Sequence, residues 1–169
     1  MRFRLAGPRR GALPKAVRDE LALERGEHVI AHATTRDGSY VVATDAALHL
    51  PAPAADFVRL PWERIEQASW QNGWLHVRES GRAGEHHLRL TEPGSVPETV
   101  QERVTATIVV NHHATLPGGS RVRIVGRRPP AGDTIRWTFV FDAGLDPNDP
   151  GLRAQAEQVL ETLRRQTGL

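Results

Sequence analysis

Glu66-Gln67-Ala68-Ser69-Trp70-Gln71-Asn72-Gly73-Trp74-Leu75-His76-Val77-Arg78-Glu79 decides how the chain is read. Asn72-Gly73 is the strongest two-residue signal for a tight β-hairpin, because both turn positions need a positive φ that Asn and Gly tolerate. The six-residue flanks carry an aromatic at each side of the turn and mix apolar with polar residues, as half-buried strands do. Residues 66–71 and 74–79 are therefore two antiparallel strands.

The same texture extends upstream. Strands are expected over 28–35, 40–44, 47–50 and 57–60. Asp37-Gly38 makes the first hairpin turn, Asp45-Ala46 a second, and the Pro/Ala stretch 51–55 a loop. Trp62–Ile65 is a short turn. Downstream, 85–91 is a further strand, giving seven in a meander with short connections. The period then changes. Val96, Val100, Val104 and Ile108 recur every four residues, which puts them on one helical face. Ser95 with Glu98 has the spacing of a capping box, and Pro97 suits a first turn.

Beyond this helix, strands are expected over 107–116, 121–128 and 134–142, with Trp137, Phe139 and Phe141 on one face of the last. Asp149-Pro150 begins a final helix to about 166, buried through Leu152, Ala156, Val159, Leu160 and Leu163. At the amino end, residues 16–26 read as a helix, with Val17, Leu21 and Leu23 as its stripe and Gly26 as its stop. Residues 1–15 form a basic arm. The overall class is α+β.

The 169 residues carry 22 Lys+Arg and 20 Asp+Glu, a net charge of +2. That charge is unevenly spread. Residues 1–18 hold six cations and no acid; the remaining 151 hold 16 cations and 20 acids. Composition, at 39% hydrophobic and 25% charged, is that of a folded domain. The absence of cysteine excludes disulfides, thiolate metal sites and cysteine nucleophiles. No apolar run suffices to span a bilayer and no secretory signal is visible, so the expected location is cytoplasmic.

Tyr40-Val-Val-Ala-Thr44-Asp45-Ala-Ala-Leu48-His49-Leu50, followed by Leu60-Pro61-Trp62-Glu63-Arg64-Ile65-Glu66, resembles bacterial pleckstrin-homology-like domains. In such domains a strand ends in Thr plus a polar residue, turns into a short apolar strand, and a later segment carries an aromatic, an acid and an Ile into the next strand. The resemblance covers 27–107. The whole chain is also similar to an uncharacterised actinobacterial family, with Arg127-Arg128-Pro129 and Asp146–Pro150 as later landmarks. What the resemblance implies is a seven-stranded half-barrel capped by a helix; residues 108–169, expected as a β-β-β-α extension packed on it, depart from a minimal domain of this kind. It implies binding rather than catalysis. Phosphoinositide-binding members use a basic cluster in the first hairpin. Here Thr35-Arg36-Asp37-Gly38-Ser39 offers one Arg beside an Asp, which argues against that ligand.

Candidate chemistry is sparse. There is no nucleophile elbow, phosphate-binding loop or dinucleotide fingerprint, and the Asp142–Asp149 stretch lacks the order of a calcium loop. The expectation is a protein that is not an enzyme and has no cofactor. Neighbouring histidines, His86 with His87 and His112 with His113, point to opposite faces of a strand and cannot share a metal directly; a zinc site would need one from each pair plus a carboxylate. Trp70 and Trp74 at the hairpin are candidate partner-binding residues, because tryptophan favours interfaces. Arg121, Arg123 and Arg127 share strand parity, and with Arg128 form a candidate basic face. The expected function is a protein-interaction or scaffold module, for a protein partner or self-association. The alternative is a peripheral binder of anionic lipid or nucleic acid through the basic arm and the Arg-rich strand.

Overall fold

The computed structural model describes residues 11–54, 56–81 and 84–169. The chain divides into two compact units, Met1–Val104 and Thr105–Leu169. It is α+β.

The first unit contains α1 (Lys15–Glu20), β1 (Val29–Thr35), β2 (Tyr40–Thr44), β3 (Ala47–Pro51), β4 (Phe57–Pro61), a single 3₁₀ turn (Trp62–Arg64), β5 (Ile65–Gln71), β6 (Trp74–Glu79), β7 (Glu85–Glu92) and most of α2 (Val96–Ala106). The seven strands form one antiparallel sheet in the order β4-β3-β2-β1-β7-β6-β5. Its two edge strands, β4 and β5, are neighbours in the chain, separated only by the 3₁₀ turn. A flat seven-stranded sheet would hold its edges about 29 Å apart, at ~4.8 Å per strand. The four steps from Pro61 to Ile65 span at most about 14 Å. The sheet is therefore rolled. The β1–β7 seam has only two register pairs, Thr34 with Glu92 and Thr35 with Leu90, and an irregularity between them.

Rolling creates an interior. Ala31, Ala33, Val41, Ala43, Leu48, Leu50, Leu60, Leu75, Val77 and Leu90 line it, and the Val96, Val100 and Val104 stripe of α2 packs into the same core. Each Val or Leu side chain removed from water here contributes about 1.5–3 kcal/mol. Trp62 is fully buried in the connecting turn, and its indole N–H donates to the Thr44 carbonyl at 3.0 Å. The expected four-residue stripe ends at Val104. Ile108 lies in a strand, because the β-branched run Thr107-Ile108-Val109-Val110 prefers extended backbone.

The amino-terminal segment also departs from expectation. The helix covers 15–20, not 16–26, and ends with Leu21 extended. Leu13, Leu21 and Val42 are buried together, with Val17, Leu23, Val29, Tyr40 and Phe57 around them. Leu21 is extended, and a tight turn at Ala22, closed by the Leu23 N–H donating to the Leu21 carbonyl at 2.8 Å, lets both leucines join this cluster. Leu13 is only 6% exposed, so the expected arm of 1–15 is anchored by residue 13; residues 1–10 lie outside the described residues.

The second unit has β8 (Ile108–Thr115), β9 (Arg121–Arg127), β10 (Arg136–Phe141) and α3 (Pro150–Thr167), with β9 central in a three-stranded antiparallel sheet. Trp137, Phe139 and Phe141 pack with Val110, Ala114, Val122 and Ile124 against Leu152, Ala156, Val159, Leu160 and Leu163 of α3. The Asp149 carboxylate caps α3 by accepting from the Leu152 N–H at 2.9 Å. Gly126 sits under the Trp137 ring, where a Cβ would stand 2.9 Å from Trp137 Cζ3.

Candidate functional site

The hairpin turn adopts the expected geometry, with Asn72 at φ 52° and Gly73 at φ 80°. Register then separates the two candidate tryptophans. Trp70 pairs with Leu75, while Trp74 pairs with Gln71, so the indoles emerge on opposite faces. Trp74 is 40% exposed on the outer face of the sheet. The Arg89 guanidinium lies 5.9 Å from its ring centroid and donates to the Asn72 carbonyl. Trp70 is 38% exposed on the other face, at the far end of the strand from buried Ile65.

Trp70 forms one wall of a groove. β5 is an edge strand, so one side of its backbone has no strand partner. Ala68, Ser69 and Trp70 of β5, Leu75 of β6, and Pro97, Glu98, Val100, Gln101 and Glu102 of α2 enclose about 510 Å³. The floor is apolar, from Ala68, Leu75, Pro97 and Val100. The rim carries Glu98 and Glu102, one helical turn apart, exposed and without a salt-bridge partner among the described residues.

The basic face expected on the second unit is smaller than the parity of its residues suggests. Arg127 is buried, and its guanidinium Nη1 donates to the Thr107 hydroxyl at 2.9 Å. Parity fixes the face a side chain leaves from, not whether that face is covered. Arg128 is exposed just beyond β9. Arg121 is exposed and lies 3.5 Å from Asp142. Arg121 and Arg123 share a shallow cavity of about 420 Å³ with His113 and Asp142. A carboxylate inside the cluster weakens its attraction for phosphate.

One polar cluster escaped the reading of the sequence. Glu27, just before β1, is buried and accepts from the Thr44 hydroxyl at 2.6 Å, the Glu24 N–H at 2.9 Å and Arg59 Nε and Nη2 at 3.3 and 3.2 Å. His49 Nε2 lies 3.0 Å from it. Burial alone would raise the Glu27 pKa. The bonds from Thr44, the Glu24 N–H and His49, with the Arg59 charge, outweigh it and lower the pKa to about 2. An acid beside a histidine has the ingredients of acid–base catalysis, but both side chains are 1% exposed and no substrate can reach them. The cluster ties the segment ahead of β1 to β2, β3 and β4.

The remaining histidines disperse. His28 pairs with Asp45, whose carboxyl is held below its usual range chiefly by the His28 backbone N–H. His86 meets Glu79 at 2.9 Å. His112 faces the α3 side of its sheet and His113 the opposite side. His87 faces His76 across β6 and β7, their Nδ1 atoms 2.5 Å apart. Among the described residues no group of three or more His, Cys, Asp or Glu could hold a metal ion. In the first hairpin Asp37 accepts from Thr35 Oγ1 and the Ser39 N–H, and these bonds hold its carboxyl below the usual range. That hairpin is an acid-locked turn. No helix among the described residues is long and apolar enough to cross a membrane. Compared with protein-family models, with curated proteins and with solved structures, the chain matches none.

Proposed function

We propose that the first unit is a non-catalytic interaction module of pleckstrin-homology-like type. In this reading it binds an extended peptide segment of a partner protein along β5. The observation that carries the reading is the groove between the β5 edge and α2. An extended chain laid there gains backbone hydrogen bonds from the unpaired edge, and alternate side chains fall into the apolar floor. Trp70 supplies a large, rigid wall of the kind that dominates binding energy at interfaces. Glu98 and Glu102 along the rim favour a Lys or Arg beside the inserted apolar residue. The meander of seven strands followed by a capping helix supports the family resemblance.

Selection of random peptides displayed on phage against the full chain tests this. The expected winners alternate an apolar residue with Lys or Arg. Fluorescence polarisation of a winning peptide should show Trp70→Ala weakening binding by about tenfold or more, Glu98→Lys weakening it too, and Trp74→Ala leaving it within about twofold. Peptides that bind Trp70→Ala as tightly as wild type, or a selection that enriches nothing, would overturn the proposal.

A further inference from the structure

The outer face of β5, β6 and β7, opposite the core, carries three cross-strand rows. Gln71, Trp74 and Arg89 form the first, Ser69, His76 and His87 the second, and Gln67, Arg78 and Glu85 the third. The middle row is unusual. His76 and His87 are directly opposite each other, their rings are edge to face with centroids 4.6 Å apart, and their Nδ1 atoms converge to 2.5 Å. Glu85 Oε2 stands 3.5 Å from the far nitrogen, Nε2, of His87. A carboxylate there favours the proton on Nε2 and leaves the Nδ1 lone pair directed at His76.

The geometry points to a surface site for one divalent first-row transition ion, Zn²⁺, Ni²⁺ or Cu²⁺, held by Nδ1 of His76 and Nδ1 of His87. With bonds of about 2.0–2.1 Å, two imidazole nitrogens on one ion stand about 2.9 Å apart at a right angle and about 3.3 Å apart at a tetrahedral angle. The observed pair needs to open by less than about 1 Å. The His87 side chain is 51% exposed and has room to swing. Ser69, opposite His76 in the register, and water complete the coordination. Glu85 then takes the role of outer carboxylate, orienting the His87 ring through Nε2. No net proton is released. The Nδ1 proton held between the rings moves to Nε2 of His76 as both Nδ1 lone pairs turn to the metal. His76 and His87 do not line the β5–α2 groove, which shares only Ser69 with this site, so the inference does not rest on the peptide reading.

Titration of the full-length chain with Zn²⁺ alone, by calorimetry at neutral pH, tests it. Wild type should saturate at one ion per chain. His76→Gln and His87→Gln should each lose at least about tenfold in affinity, and Glu85→Gln about tenfold. His113→Gln, an exposed histidine elsewhere, should change nothing. Trp74, whose ring centroid is 6.5 Å from that of His76, gives a second readout. Paramagnetic Cu²⁺ should quench its fluorescence, and that quenching should disappear in His76→Gln and in Trp74→Phe. Wild-type protein that takes up no Zn²⁺, or uptake undiminished in both histidine variants, overturns the proposal.

Discussion

His49 and His76 both sit mid-strand in the rolled sheet, each with a second polar group within 3.0 Å, yet they do opposite things. His49 is sealed in a cluster where the Glu27 carboxylate collects donors from four other residues. His76 meets a second imidazole at the surface, and the pair has coordinating capacity to spare. A buried titratable group with every partner supplied holds a structure together. A surface pair whose two Nδ1 atoms converge on a shared, movable proton can accept something from outside. Residue type alone does not separate the two; burial and the count of satisfied partners do.

The largest effect that would break this comparison is removal of Glu27. Glu27→Ala strands Arg59, His49 and Thr44 around an empty position and should cost about 3–5 kcal/mol in urea unfolding. A cost below about 1 kcal/mol would mean the cluster is not a structural tie. Acid should act more gradually on the same group. Its folded pKa, about 2, is below the ordinary value of 4.5. Its contribution is fully present above about pH 4.5 and is lost as pH falls towards 2, amounting to about 3 kcal/mol. Urea midpoints across this range should fall more steeply for wild type than for Glu27→Gln; parallel slopes would contradict the assignment. The smallest effect sharpens the contrast from the other side. Without metal, His76→Gln and His87→Gln should each shift stability by no more than about 0.5 kcal/mol, because His87 is exposed and His76 only half-buried on the outer face of the sheet.

Much of the architecture was legible in the sequence. All seven strands of the first sheet lie within a residue of where turn chemistry and alternation put them, and Asn72-Gly73 and Asp149-Pro150 acted as such residues do. These signals are local, carried by a few adjacent residues. What was not legible depends on distant chain segments. Glu27 reads as an ordinary surface acid until β2, β3 and β4 close over it. Arg127 shares parity with Arg121 and Arg123 yet is buried. Trp70 and Trp74, four residues apart, looked like one surface and are two, because the turn places them out of register with each other. The His76–His87 contact needs the β6–β7 register, which the loop at 80–84 does not fix as a two-residue turn does.

The peptide-binding reading of the β5–α2 groove is tested most directly at the backbone. Hydrogen–deuterium exchange read residue by residue, with and without a selected peptide, reports whether β5 gains a strand neighbour. The account predicts that the β5 amides facing away from β6 become protected on binding, with protection reaching α2 residues 97–102 and sparing the outer row of His76 and His87. Tight binding that leaves the β5 amides exchanging at their original rate would contradict it.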